Sequence, residues 1–140
     1  MKIINKKAHF EYELGERVEA GIKLTGPEAK SARLGQIAMD GAHVKIMDGE
    51  AWIVNMQVYP YKYTDNEGYD PMRTRKLLLG KSELISLQSK MKSGRMTLVP
   101  TAMYTKGPKV KLEIALARGK KKYEKRDIIK KRELEREGVI

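Results

Sequence analysis

The sequence predicts a mainly β protein, in which short antiparallel strands form a small closed barrel with two to three flanking helices and a basic C-terminal tail. Apolar and polar residues alternate in several short windows, as in half-buried strands. Turn-forming residues separate these windows. The length of 140 residues suffices for one hydrophobic core. A single compact domain is therefore expected.

Five windows carry the alternation and predict strands. They are residues 17–24, 43–47, 51–58, 95–104 and 110–117, with residues 9–14 as a further candidate. The Asp48-Gly49 pair predicts a tight hairpin between the second and third windows, and Gly107-Pro108 predicts a turn between the last two. The residues expected to point inward are Val18, Ala20, Ile22, Leu24, Val44, Ile46, Trp52, Val54, Met56, Val58, Val110, Leu112, Ile114 and Leu116.

A short first helix is predicted after the first strand. The Thr25 hydroxyl is placed to cap it, and Glu28 completes a capping box. Pro27 is tolerated in the first turn, and Gly35 ends the helix.

A second helix is predicted before the fourth strand, with Ser82 as its N-cap and Gly94 as its end. Leu84, Leu87 and Met91 form one apolar stripe that should lie on the sheet. Many short strands with few helices fit a barrel of the OB type better than a sandwich or a parallel α/β sheet.

Charge sets the final segment apart. The formal net charge is +11, and residues 120–137 hold nine Lys or Arg against five Asp or Glu. Such a surplus attracts polyanions. We expect residues 1–118 to form the barrel domain and residues 119–140 to form a tail that is disordered when free and helical on an anionic partner.

Several function classes are disfavoured by composition. The chain has no cysteine, which excludes disulfides and thiolate metal sites. Its apolar runs are too short for a signal peptide or a membrane span, so a cytoplasmic protein is expected. The two histidines, His9 and His43, lie far apart, and no catalytic motif is visible. We expect no enzymatic activity, no metal and no cofactor.

Tyrosines precede basic residues within residues 59–76, and the overlapping long segment 61–80 lacks clear periodicity until residue 76. Loops of this size are usually functional or mobile. The residues concerned are Tyr59, Tyr61, Tyr63, Tyr69, Arg73, Arg75 and Lys76. RNA bases can stack on such rings while guanidinium groups bind phosphates. Tyrosines packed on the rim of the barrel are an equal alternative.

Four motifs, taken together, resemble the family of SsrA-binding proteins (small protein B). They are N-K-K-A-H-F-E-Y at residues 5–12, E-A-G-I-K-L-T-G-P-E-A-K-S-A-R at 19–33, D-P-M-R-T-R-K-L-L-L at 70–79 and L-A-R-G-K-K-K-Y-E-K-R at 116–126. Their order and spacing match the family over nearly the whole chain.

The resemblance implies an OB-like barrel that binds the elbow of the tRNA-like domain of transfer-messenger RNA during trans-translation. The protein then takes the place of the missing anticodon arm in the decoding centre of a stalled ribosome, next to ribosomal RNA. The tail enters the empty messenger channel and forms a helix there. No small-molecule substrate and no membrane partner are implied.

The resemblance also implies site residues. Asn5, Glu19 and Leu78 correspond to positions important for RNA binding, with Lys30, Arg33, Arg73, Arg75 and Lys76 as phosphate contacts. We expect Leu78 to shape the surface, and Glu19 to orient a basic group or to accept from a base or ribose hydroxyl. In the tail the implied residues are Lys120, Lys121, Lys122, Tyr123, Glu124, Lys125 and Arg126, with Tyr123 stacking on a decoding-centre base.

Two alternatives stay open from the residues alone. One is a generic OB-type protein that binds single-stranded or ribosomal RNA with little sequence preference. The other is an RNA-modifying enzyme whose catalytic groups are not recognisable in the sequence.

Overall fold

The computed structural model describes residues 1–120 and Arg132. Most of the predicted tail, including its site residues 121–126, lies outside this part. The elements are β1 (Lys2–Ile4), α1 (Lys6–Glu11), β2 (Tyr12–Ile22), α2 (Gly26–Arg33), β3 (Ile37–Ala38), β4 (His43–Met47), β5 (Glu50–Val54), β6 (Gln57–Val58), β7 (Arg75–Leu78), α3 (Lys81–Gly94), β8 (Thr97–Lys106) and β9 (Lys109–Gly119). The described chain is mainly β with a few helices, as predicted.

The strands form one large and one small antiparallel sheet. Seven strands pair in the order β1-β8-β4-β5-β7-β2-β9, and β8 also pairs with β9. Strands β3 and β6 pair separately. The hairpin between β4 and β5 contains Asp48 and Gly49, whose φ angles of 53° and 73° are those of a tight hairpin turn. Both predicted hairpins are confirmed.

The core packs against the inner faces of the strands. The predicted inner residues of β9, namely Val110, Leu112, Ile114 and Leu116, are all buried. Ala20 and Ile22 of β2 join them. None of the three helices within residues 1–120 has the length and apolarity needed to span a membrane.

The predicted inner face of β5 was wrong. Ala51 and Ile53 are fully buried, so Trp52 and Val54 lie on the outer face. Asn55 has a φ of 64°, in the left-handed region, and ends the strand. This break shifts the alternation by one residue, and the residues beyond it, Met56 and Val58, are buried as predicted.

The predicted strand over residues 9–14 was wrong for its first half. Asn5 caps helix α1 because its Oδ1 accepts a hydrogen bond from the Ala8 amide at 3.2 Å. The helix begins at Lys6 and runs to Glu11, so β2 begins only at Tyr12.

Both predicted longer helices are present. Helix α2 has the Thr25–Glu28 capping box, and Gly35 follows it with a φ of 77°. The predicted N-cap of α3 was wrong, because Gly80 holds that position and its amide donates to Glu83 Oε1 at 3.2 Å. The apolar stripe of α3 is confirmed: Leu87 is buried, and Leu84 and Met91 pack on the core.

Candidate nucleic-acid interface

A buried carboxylate ties the long segment before β7 to helix α2. Glu28 Oε1 accepts from the Thr25 amide at 3.0 Å and from Arg73 Nη2 at 2.5 Å. Its Oε2 accepts from Arg75 Nε at 2.7 Å and from the Tyr69 hydroxyl at 3.1 Å. We call these five residues the Glu28 cluster. The long segment, for which the sequence predicts a functional or mobile loop, is therefore anchored to the body of the protein.

Arg75 is a structural residue of this cluster. Its side chain is 0 % exposed, and Nη1 donates to the carbonyls of Met56 and Arg73 at 3.0 and 2.8 Å. Nη2 donates to the Pro71 carbonyl and the Tyr69 hydroxyl, both at 3.1 Å. All the N–H groups of the guanidinium are thus used inside the protein. Arg75 was expected to contact a phosphate, but in this structure it has no free donor and no exposed surface for one.

The cluster changes the ionisation of its members. Burial opposes the charged form of Glu28, but hydrogen bonds from Arg73, the Thr25 amide and Arg75 outweigh it and lower the pKa of Glu28 to about 2. Burial, together with the negative charge of Glu28, raises the pKa of Tyr69. At neutral pH the cluster therefore holds an ionised carboxylate beside a protonated phenol.

We expect the stability of the domain to depend on Glu28 in acid. Because the pKa of Glu28 is lowered on folding, its stabilising effect is complete above its ordinary value of 4.5 and is lost as the pH falls towards about 2. Urea unfolding at pH 7, 4.5 and 3 measures this. The Glu28→Gln variant should be less stable at pH 7 and lose less free energy of unfolding between pH 4.5 and 3. An equal loss in both proteins would contradict the assignment.

On the outer face of the large sheet, a row of residues crosses five strands. Leu78 pairs with Gly21, Gly21 with Lys111, Lys111 with Tyr104, and Tyr104 with Lys2. We call these five residues the Leu78 row. Leu78 is 53 % exposed. A Cβ at Gly21 would lie 3.1 Å from Leu78 Cβ, so glycine leaves space for the leucine on this surface.

A groove of about 270 Å³ lies beside the row. Arg33, Lys109 and Lys111 line it together with apolar side chains of α2 and the neighbouring strands. Arg33 also donates a hydrogen bond to the Pro108 carbonyl, which joins α2 to the turn between β8 and β9. Cationic groups over an apolar floor can bind phosphate and the face of a base or ribose.

Glu19 lies at the edge of the Leu78 row. Its Oε1 accepts from the Tyr104 hydroxyl at 2.5 Å, and its Oε2 lies 3.5 Å from Lys106 Nζ. The Tyr104 hydrogen bond is the main cause of a lowered pKa at Glu19. Burial and the same hydrogen bond raise the pKa of Tyr104 to about 12. Glu19 thus contacts Tyr104 and Lys106, and both roles expected for it, orienting a basic group or accepting from RNA, stay predictions.

Asn5 is 4 % exposed and lies in the interior. Besides capping α1, its Nδ2 donates to the carbonyls of Pro100 and Met39 at 2.7 and 3.4 Å. This side chain holds α1 against β8, and its described contacts are all with the protein itself. Any effect of Asn5 on RNA binding therefore acts through the position of these elements.

The other predicted phosphate contacts are at least partly accessible. Lys30 is exposed, and its Nζ lies 5.5 Å from the centre of the Tyr61 ring. Arg73 is 41 % exposed although one of its nitrogens binds Glu28. Lys76 is 36 % exposed and pairs with Glu50 at 2.9 Å. Their contacts with RNA stay predictions.

The tyrosines of residues 59–69 divide between two roles, packing on the protein and exposure to a partner. Tyr69 packs inward as part of the Glu28 cluster. Tyr63 and Tyr59 are 73 % and 41 % exposed, and the Tyr61 and Tyr63 rings meet edge to face at 5.4 Å. Residues 59–69 thus hold one structural tyrosine and at least two accessible ones.

Sequence reasoning missed several residues of this surface. They are Gly21, Tyr104, Lys106, Lys109 and Lys111. The alternation in residues 110–117 already placed Lys111 on the outer face. No sequence signal placed it beside Leu78, because that proximity depends on the order of β7, β2 and β9 in the sheet.

The fold and this surface define a small, basic, mainly β protein that presents cations and apolar groups to a polyanion. Residues 2–139 match the family model described as SmpB protein. The chain belongs to the SmpB family.

Similar proteins agree with this assignment. An SsrA-binding protein from Sulfurihydrogenibium sp. (strain YO3AOP1) is 49 % identical over 133 residues, which cover 95 % of this chain and 88 % of the relative. One from Malacoplasma penetrans (strain HF-2) is 45 % identical over 136 residues, covering 97 % and 93 %. A chain from a solved structure described as tmRNA-SmpB in the bacterial ribosome aligns with a TM-score of 0.72 and 39 % identity, covering 86 % of this chain and 85 % of that one.

Proposed function

We propose that this protein binds the tRNA-like domain of transfer-messenger RNA and delivers it to stalled ribosomes for trans-translation. Membership of the SmpB family supports this function, as does the likeness to SsrA-binding proteins and to a tmRNA-SmpB structure. The structural observation that carries the proposal is the Leu78 row beside its cationic groove. A partner of the ribosome works in the cytoplasm, and it acts as an RNA-binding protein without a catalytic step.

The surface is suited to a folded RNA. Leu78 and Gly21 form an apolar patch without charge, where the backbone of an RNA can approach closely. Arg33, Lys109 and Lys111 border the patch and can bind phosphates on either side. Because α2 and β9 hold these groups in fixed positions, they fit the shape of a rigid RNA elbow better than a random coil.

The proposed domain organisation has an OB-like closed barrel over residues 1–118. The order of paired strands supports this organisation. It runs from β8 through β4, β5, β7, β2 and β9, and β9 pairs again with β8. A closed barrel would leave few unpaired strand edges. It also holds the outer faces of β2 and β9 side by side, which is where the Leu78 row lies.

Residues 119–140 form the proposed tail, which probes the decoding centre and the empty messenger channel. The Lys120 amide donates to the Glu11 carbonyl at 3.0 Å, so the chain continues from β9 beside α1. Lys120 Nζ also donates to the His9 carbonyl at 3.0 Å. In this proposal Tyr123 stacks on a base of the decoding centre, and the neighbouring cations bind ribosomal RNA.

We expect the Arg33→Ala and Lys111→Ala variants to bind a tRNA-like RNA more weakly than the wild type. Each substitution removes one phosphate contact, so each should reduce the slope of log affinity against log salt by about one. Gel-shift titrations between 50 and 200 mM salt measure both quantities. Lys92→Ala serves as a control, because this exposed lysine lies near the end of α3 and outside the surface. Wild-type affinity and slope in both test variants would refute the assigned surface.

A further inference from the structure

A second row of outward-facing residues lies next to the Leu78 row. Lys45 pairs with Trp52, and Trp52 pairs with Lys76. The Lys23 amide donates to the Lys76 carbonyl at 2.9 Å, which continues the row on to the chain after β2. We call Lys23, Lys76, Trp52 and Lys45 the Trp52 row. Its central aromatic side chain is flanked by a lysine on each neighbouring strand.

The row faces away from the core. The residues that alternate with it on the same strands are buried: Ile22 beside Lys23, Leu77 beside Lys76, Ala51 and Ile53 beside Trp52, and Val44 beside Lys45. Trp52 is partly buried and keeps some accessible surface, whereas Lys23 and Lys45 are exposed. A tryptophan ring on an outer sheet face between lysines can stack with a base.

The charge of the row is positive. Among the ion pairs of the described residues, Lys76 pairs with Glu50 at 2.9 Å, while Lys23 and Lys45 take part in none. Lys45 and Lys76 lie on the strands to either side of Trp52, so their backbones are about 10 Å apart. Flexible lysine side chains at this spacing can bind phosphates on both sides of one stacked base.

The two rows are continuous at strands β2 and β7. Lys23 follows Gly21 by two residues, and Lys76 precedes Leu78 by two, so each pair shares a face at about 7 Å. A strand that leaves an RNA held on the Leu78 row therefore finds Lys76 and then Trp52 as its next contacts.

We propose that the Trp52 row is a binding subsite for single-stranded RNA. An unpaired base stacks on Trp52, and the adjoining phosphates bind Lys23, Lys45 and Lys76. The inference extends the proposed function, because it adds an unpaired segment to the folded RNA held on the Leu78 row. Neither the family match nor the resemblance of motifs assigned a role to Trp52.

Trp52 is the only tryptophan of the chain, so its fluorescence reports directly on this subsite. We expect saturable quenching when a ten-residue oligouridylate is added to the full-length protein at low salt. Lys23→Ala and Lys45→Ala should each weaken the binding and reduce its salt slope by about one, while Lys92→Ala leaves both unchanged. Trp52→Leu should weaken binding of a fluorescein-labelled oligouridylate about tenfold, whereas Trp52→Phe retains most of the affinity.

Two results would overturn the subsite. One is the absence of quenching by oligouridylate at low salt. The other is equal quenching of the wild type and both lysine variants, which are exposed substitutions that do not disturb the core. Inorganic polyphosphate tests the stacking separately, because Trp52→Leu should leave its binding unchanged while weakening that of oligouridylate.

The proposed function is judged by a different probe. The wild type and Trp52→Leu should bind a tRNA-like RNA lacking unpaired ends with similar affinity. Failure of the wild type to bind that RNA would refute the proposed function, and quenching by oligouridylate would still support the subsite. Binding of the tRNA-like RNA without any quenching by oligouridylate would refute the subsite alone.

Discussion

A protein truncated after Gly119 is expected to bind a tRNA-like RNA almost as well as the full chain and to lose nearly all tagging of stalled products. The Leu78 row and its groove lie entirely before this point. The removed segment holds the densest positive charge of the chain but none of the described surface. Gel-shift affinity and peptide tagging in a reconstituted translation reaction on a message without a stop codon measure the two effects.

A matched truncation after Lys120 controls for local damage. Lys120 donates from its amide to Glu11 and from Nζ to His9, so retaining it preserves the described end of β9. Full-length Tyr123→Ala tests the proposed stacking residue without shortening the chain. If truncation reduces RNA affinity and tagging by the same factor, the division of work between domain and tail is wrong.

The second large effect is expected from Arg75→Leu, which should destabilise the domain by about 3 to 5 kcal/mol. Arg75 is fully buried and contacts the Glu28 carboxylate at 2.5 Å. Its loss leaves that carboxylate in the interior with fewer donors, and it also removes one donor from each of the carbonyls of Met56 and Pro71. Urea unfolding at neutral pH measures the change in free energy.

Arg73→Ala is the matched control for this substitution. Arg73 binds the same carboxylate, but it is 41 % exposed, so water can replace part of what is lost. We expect this variant to lose about 1 to 2 kcal/mol. If Arg75→Leu is no more destabilising than Arg73→Ala, the Glu28 cluster does not hold the long segment in the way the geometry indicates.

In the Glu28 cluster, the sequence predicts which residues face inward but not which residues bind each other. Residues 75–78 alternate between buried and outward positions, so Arg75 shares the inner face with Leu77 while Lys76 and Leu78 face outward. This alternation is visible in the sequence, but it does not show whether Arg75 binds a phosphate or a buried carboxylate. Its actual partner, Glu28, lies 47 residues earlier in the chain, and no local pattern connects the two.

Trp52 shows the opposite error, because it was expected in the core and lies on the outer face of the sheet. The pattern from Ala51 to Val58 was treated as one strand, which put Trp52 in the core. The left-handed conformation at Asn55 divides that stretch, and only the part after it keeps the predicted phase. An asparagine adopts this conformation readily but does not require it, so the residue type alone could not decide the break.

By itself the sequence determined the elements that depend on neighbours a few residues apart. These are the capping box of α2, the Asp48-Gly49 hairpin, the alternation of β9 and the positive charge that favours RNA. Only the tertiary structure decided which strands lie side by side and which charges are buried. The reason is that strand order and register are set by packing of the whole core. These long-range contacts place Leu78 and Lys111 on either side of Gly21 and bring Arg75 to Glu28.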